Sequence, residues 1–167
     1  MTMDEITSIK KQTRLALPKD DSYLYRLGIA LYGFASITSF MVEIICHIDD
    51  TQKQISILEK TAGAALNIFK ETLKKIKAES KYPEIYEVME KTANLFNKLN
   101  KQRTDFVHSY PITNKEKNQI LYRRKDKERK YFEVDNAFLD QFISELHDVS
   151  NGLYEIRKEV YNVSTSK

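Results

Sequence analysis

The sequence predicts an all-α fold: an antiparallel helical bundle with one small β-hairpin inserted before the last helix. Three observations carry this. Only four Gly and three Pro occur in 167 residues, too few for a turn-rich β architecture. Long stretches place apolar residues three and four apart, the spacing of a helix with one buried stripe. A single segment, from Gln119 to Val134, breaks that rhythm and reads as two extended runs around a charged turn. The length suits one domain over 1–167, with about 1–18 as an N-terminal helix and 112–134 as a basic loop or hairpin insertion.

The first helix is expected from Asp4 to Ala16, ended by Pro18. A second begins at Asp20 or Asp21, either of which can cap it, and runs to about Ile48. Within it, Leu27 to Val42 is 16 residues without a charge, shorter than the roughly 20 that a membrane-spanning helix wants. It therefore reads as a helix buried on nearly all sides, with no membrane partner. Gly28, Ala30, Gly33 and Ala35 would let a neighbouring helix approach closely, including one from a second copy. After a turn at Asp49–Thr51, a third helix carries Ile55, Leu58, Ala62, Leu66, Phe69, Leu73 and Ile76 at helical spacing, with Gly63 marking a break or a packing point. Pro83 suits the first turn of a fourth helix. Its stripe runs Ile85, Val88, Met89, Thr92, Leu95, Phe96, Leu99 and then, in phase, Arg103 and Phe106 or Val107. Pro111 ends it, because the residue before a proline is pushed toward extended backbone. Strands at Gln119–Tyr122 and Lys130–Val134 follow, and Asp135 caps the last helix, with Val134 and Leu139 as a hydrophobic staple.

Composition narrows the chemistry. An apolar share of 41% and a charged share of 31% are those of an ordinary soluble globular protein. The single Cys46 has no disulfide partner and lies in an apolar run, so it reads as a core thiol. One Cys and three scattered His argue against a zinc site, and no cofactor is expected. Met1 to Leu17 has mixed charge and no apolar block, so a cytoplasmic location is expected. Residues 113–130 hold eight basic side chains (Lys115, Lys117, Arg123, Arg124, Lys125, Lys127, Arg129, Lys130) against three carboxylates, a local +5. The other residues carry 19 positive and 21 negative charges. A basic patch on a slightly acidic body points to a polyanion such as RNA, with Tyr122, Tyr131 and Phe132 available to stack on bases. Its alternative reading is a solvated hairpin tip that prevents edge pairing.

The segment from Asn100 to Pro111 holds the chemically interesting residues. On an ideal helix Arg103 and His108 lie about 140° apart, so they converge only if the helix ends before His108. Histidine exchanges protons near neutral pH, and arginine offers a fork of donors matched to phosphate oxygens. Together they could cleave RNA without metal, with two copies facing each other to supply both acid and base.

Arg103-Thr104-Asp105-Phe106-Val107-His108, at the end of a long helix in a small bundle, resembles the Arg-x4–6-His signature of the HEPN superfamily. Extended to Tyr110, the motif resembles the toxins paired with minimal nucleotidyltransferases. The resemblance implies a metal-independent endoribonuclease, a toxin or phage-defence effector. It also implies a homodimer with the two motifs meeting in a cleft, and Tyr110 as a target for adenylylation by a nucleotidyltransferase-like antitoxin. Thr104 departs from the family, which usually has Asn, Asp or His there, and Asp105 comes one place later. The hairpin is not part of the minimal bundle either.

Each residue also has a plainer reading. Arg103 could be a structural arginine tied to Asp105 or to carbonyls at the helix end. His108 could serve the helix dipole, and Tyr110 could simply pack. His47, beside Asp49 and Asp50, reads as a capping or surface residue, and His147 as a solvated one. The alternative function is a non-catalytic module of the same fold that binds nucleic acid or protein.

Overall fold

A computed structural model of the chain describes residues 3–12, 17–125 and 130–164. Six α-helices are present: α1 (Met3–Lys11), α2 (Asp21–Ile48), α3 (Gln54–Leu58), α4 (Ala62–Ala78), α5 (Tyr86–Val107) and α6 (Asn136–Ser164). Between α5 and α6 lie three strands, β1 (Tyr110–Thr113), β2 (Gln119–Lys125) and β3 (Lys130–Val134). The molecule is mostly helical, with a small antiparallel sheet in the order β1-β2-β3.

Helix starts follow side-chain chemistry. The Asp20 carboxylate accepts from the Ser22 N–H at 2.9 Å, Thr61 Oγ1 from Ala64 at 3.2 Å and Asp135 from Phe138 at 2.8 Å. The staple pair Val134 and Leu139 is fully buried. The expected first helix ends at Lys11; its remaining positions 13–16 lie outside the described residues. The expected third helix is two helices. The chain breaks at Glu59–Thr61, where Thr61 restarts it with a cap, while an added Cβ on Gly63 would make ordinary contacts with Asn100 Nδ2 at 3.6 Å and Thr61 Oγ1 at 4.0 Å. A 3₁₀ turn at Pro83–Ile85 precedes α5.

The helix directions correct the expected antiparallel bundle. Lys75 pairs with Asp49 at 3.0 Å, which sets α4 parallel to α2. Asp140 meets Arg26 at 2.6 Å and Tyr161 bonds Glu43 at 3.2 Å, so α6 is also parallel to α2. Lys98 on Glu145 and Thr92 beside Gly152 set α5 against α6. Among the four long helices α2, α4, α5 and α6, α5 runs opposite to the other three. The return segment 49–61 and the inserted sheet each carry the chain back, so that the next helix starts in the direction of α2.

Phe34, Phe96, Phe106 and Phe142 form the centre of the core, with Phe34–Phe96 centroids at 5.4 Å and Phe106–Phe142 at 5.1 Å. α2 supplies Ala30, Phe34, Ile37, Met41, Val42, Ile44 and Ile45 to it. The helix is not buried on nearly all sides, however. Tyr25 is 71% and Tyr32 81% exposed, and Gly28, Ala35, Ser36 and Ser39 share their outer face. At 28 residues, with mean hydropathy 1.8 over its best 18-residue window, α2 is long and apolar enough to cross a membrane; 39% of that window is buried in the bundle. Gly33 and Ala30 face inward, and an added Cβ on Gly33 would press on Leu146 of α6 at 2.9 Å.

Candidate active site

Arg103 lies on the buried stripe of α5, one turn past Leu99. Asn100 is level with Gly63 in the first turn of α4, so the last two turns of α5 run past the beginning of that helix. Arg103 is only half-buried there, although Phe106, further along the same helix, is buried in the core. Its guanidinium carbon sits 5.7 Å from the centroid of the Phe34 ring, a cation–π contact. Among the described residues no carboxylate or carbonyl accepts from this guanidinium. The carboxylate expected as its structural partner lies elsewhere: Asp105 faces Arg123, with Oδ1 3.9 Å from Nε.

α5 stops at Val107. The His108 N–H still reaches the Thr104 carbonyl at 3.2 Å, but with ψ at 14° the backbone has left the helix. Ser109 Oγ donates to the Asp105 carbonyl at 2.9 Å and closes the turn. The regular helix thus ends at Val107, one residue before His108, and His108 is exposed. Its carbonyl accepts from Arg123 Nη1 at 2.9 Å, which ties β2 to the end of α5. Thr104 Oγ1 turns back to the Asn100 carbonyl at 2.9 Å, so its hydroxyl is engaged within the helix.

Tyr110 opens β1, a strand the sequence pattern does not suggest, because Pro111 lies within it. Proline is tolerated there since β1 is an edge strand. Tyr110 pairs with Tyr122 across the sheet; their rings meet edge-to-face with centroids 5.7 Å apart and planes at 68°. Tyr110 is 48% exposed.

The basic patch is rearranged. Arg123, Arg124 and Lys125, expected in a turn, belong to β2. Arg123 points toward α5, whereas Arg124, Lys115 and Lys117 are exposed. Lys127 and Arg129 lie outside the described residues, as do the side chains of Lys125, Lys130 and Tyr131. Phe132 is half-buried and packs on Phe138 at 5.6 Å, on the opposite face of the sheet from Tyr122. The role of Arg123 and the Tyr110–Tyr122 pair were not legible from spacing, since both depend on strand register.

The sheet is held to the bundle by Tyr23. Its phenol donates to the Val134 carbonyl at 2.9 Å and accepts from the Leu121 N–H at 3.0 Å. Burial pushes its pKa above the ordinary tyrosine value of 10.0. Elsewhere, His47 is exposed and stacks on Tyr161 at 3.9 Å, and His147 is exposed. Cys46 is half-buried rather than enclosed in the core, and burial raises its thiol pKa. Among the described residues no three His, Cys, Asp or Glu side chains gather as metal ligands would. Compared with protein-family models, curated proteins and solved structures, the chain matches none.

Proposed function

We propose that the protein is a metal-independent endoribonuclease of the HEPN type. In this reading it is a cytoplasmic toxin or phage-defence effector that works as a homodimer. One observation carries the reading: a half-buried arginine without a carboxylate partner stands five residues before an exposed histidine at the end of the same helix. The nearby Asp105, the carboxylate expected as its partner, is turned to Arg123 instead.

The chemistry follows from the two groups. His108 removes the ribose 2′-OH proton as that oxygen attacks phosphorus, and Arg103 stabilises the charge on the phosphoryl oxygens. The P–O5′ bond breaks, and the partner's His108 protonates the leaving O5′. The products are a 2′,3′-cyclic phosphate and a 5′-hydroxyl. Tyr110 is accessible to a nucleotidyltransferase-like antitoxin.

The surface proposed for the second copy is the outer face of α2. It is uncharged from Leu27 to Val42, and a groove of about 790 Å³ runs between it and α1, lined by Ile6, Ile9, Leu24, Tyr25, Gly28 and Tyr32. The exposed rings flank Gly28, where an added Cβ would meet nothing within 4 Å. Knob and hole on one face are self-complementary about a two-fold axis. Two such rings offer on the order of 300 Å² of the roughly 800 Å² per partner that a standard interface buries. The same half of α2 carries Phe34, on which Arg103 rests.

The test is cleavage of a mixed RNA panel in EDTA. His108→Ala and Arg103→Ala are each expected to lower the rate by about 100-fold or more, and Arg103→Lys to restore little, because lysine lacks the planar fork. Equal cleavage by wild type and both alanine variants would overturn the assignment. A second reading, a non-catalytic nucleic-acid-binding module, is favoured by Thr104, whose hydroxyl is engaged by Asn100. Salt-sensitive RNA binding without turnover would support it.

A further inference from the structure

We infer that the Tyr110–Tyr122 pair is a stacking platform for an unpaired nucleobase, placed beside His108, so that the RNA taken is single-stranded at the scissile step. The inference rests on the ribonuclease reading above and names its substrate class.

Strand register puts Tyr110, Ile112, Ile120, Tyr122 and Arg124 on one face of the sheet, with the exposed Glu133 of β3 directly across from Tyr122. Along β2 this face passes from buried to open: Ile120 is 8% exposed, Tyr122 is half-buried and Arg124 is exposed. The open end is where β1 begins, two residues after His108. An edge-to-face pair holds both rings upright, and 48% of Tyr110 remains open to solvent. Two rings held this way cost a stacking base little ordering entropy, because each is already held by its neighbour.

The platform is also tied to the candidate catalytic residue. Arg123, next to Tyr122, donates to the His108 carbonyl, and its guanidinium faces Asp105 on the last turn of α5. The platform's strand is therefore tied to the backbone of His108 by a side-chain link as well as by two residues of chain. A flipped base on Tyr110 would leave its own phosphate near His108. Arg124, on the same face, is placed to meet the backbone of the strand. A duplex presents no free base face, so its affinity would come from charge alone.

The experiment uses the full chain carrying His108→Ala, which keeps the RNA intact, in EDTA. The probe is a single-stranded oligoribonucleotide containing 2-aminopurine, set against a duplex of the same length. Tyr110→Ala and Tyr122→Ala are each expected to weaken single-strand binding roughly 5- to 100-fold and to relieve the quenching of a stacked 2-aminopurine, with duplex affinity changed less than about twofold. Tyr110→Phe and Tyr122→Phe keep the ring and are expected to bind as the parent does. The phenylalanine variants also separate stacking from any role of the Tyr110 hydroxyl as a modified group. Equal loss for single strand and duplex, or no loss in either alanine variant, overturns the platform. Single-strand binding that needs the rings, in a wild-type protein that cuts nothing, supports the platform and removes the nuclease reading. Cleavage indifferent to both rings does the reverse.

Discussion

Tyr23 joins α2 to two strands at once, giving its proton to Val134 and accepting one from Leu121, with its ring 3% exposed. Tyr23→Phe keeps the ring but strands a carbonyl and an N–H, and is expected to cost about 1–3 kcal/mol, measured by urea unfolding. Burial raises the folded phenol's pKa above 10.0, so ionisation is harder in the folded than in the unfolded chain. The associated stability is complete below about pH 10 and is lost as pH rises past it. The Phe variant should therefore show a flatter alkaline limb. Asp49 has the opposite sign: hydrogen bonds from Thr51, then Lys75, hold its carboxyl below the usual 3.8. Its contribution is present above that value and fades as pH falls through it. At this scale the sequence was a partial guide. Arg103 was legible because it falls in phase with Phe96 and Leu99, but its contact with Phe34, 69 residues away, was not.

Between elements, glycine shows how closely two helices meet. Gly152 of α6 faces Thr92 of α5, which is 2% exposed, and a methyl at Gly152 would overlap Thr92 Oγ1 and lie 3.3 Å from its Cβ. Gly152→Ala is expected to destabilise by about 1–3 kcal/mol even though alanine is the better helix former. Gly63→Ala meets Asn100 Nδ2 at 3.6 Å and Thr61 Oγ1 at 4.0 Å, both ordinary contacts, and is expected to be neutral or to stabilise by about 0.5 kcal/mol. Thermal midpoints of the two variants, moving in opposite directions, would check the pair. The caps at Asp20, Thr61 and Asp135 are local devices, and two of them were read directly as helix starts. The break before Thr61 was hidden because Ile55, Leu58 and Ala62 keep helical spacing across it. Strand β1 was hidden by Pro111, whose missing N–H matters less at an edge than in a central strand.

The whole molecule presents an outer face of α2 that a monomer leaves in water. Tyr32→Lys places a charge at its centre and is expected to shift the mass in light scattering from twice 19.6 kDa to 19.6 kDa. RNA cleavage should fall with it, while the unfolding midpoint of the monomer holds. A wild-type protein that is monomeric at micromolar concentration would overturn the proposed interface.

By itself the sequence determined the helical class, most helix boundaries, the insertion before α6 and the place of an in-phase arginine five residues before a histidine near a proline. These follow from periodicity and capping, which act over a few residues. The tertiary structure decided that α2 and α6 run parallel, that Asp105 serves Arg123 and leaves Arg103 without an ion pair, and that Tyr110 meets Tyr122. Each of those depends on which distant segment lies opposite, and that is set by core packing and strand register, which no local spacing encodes.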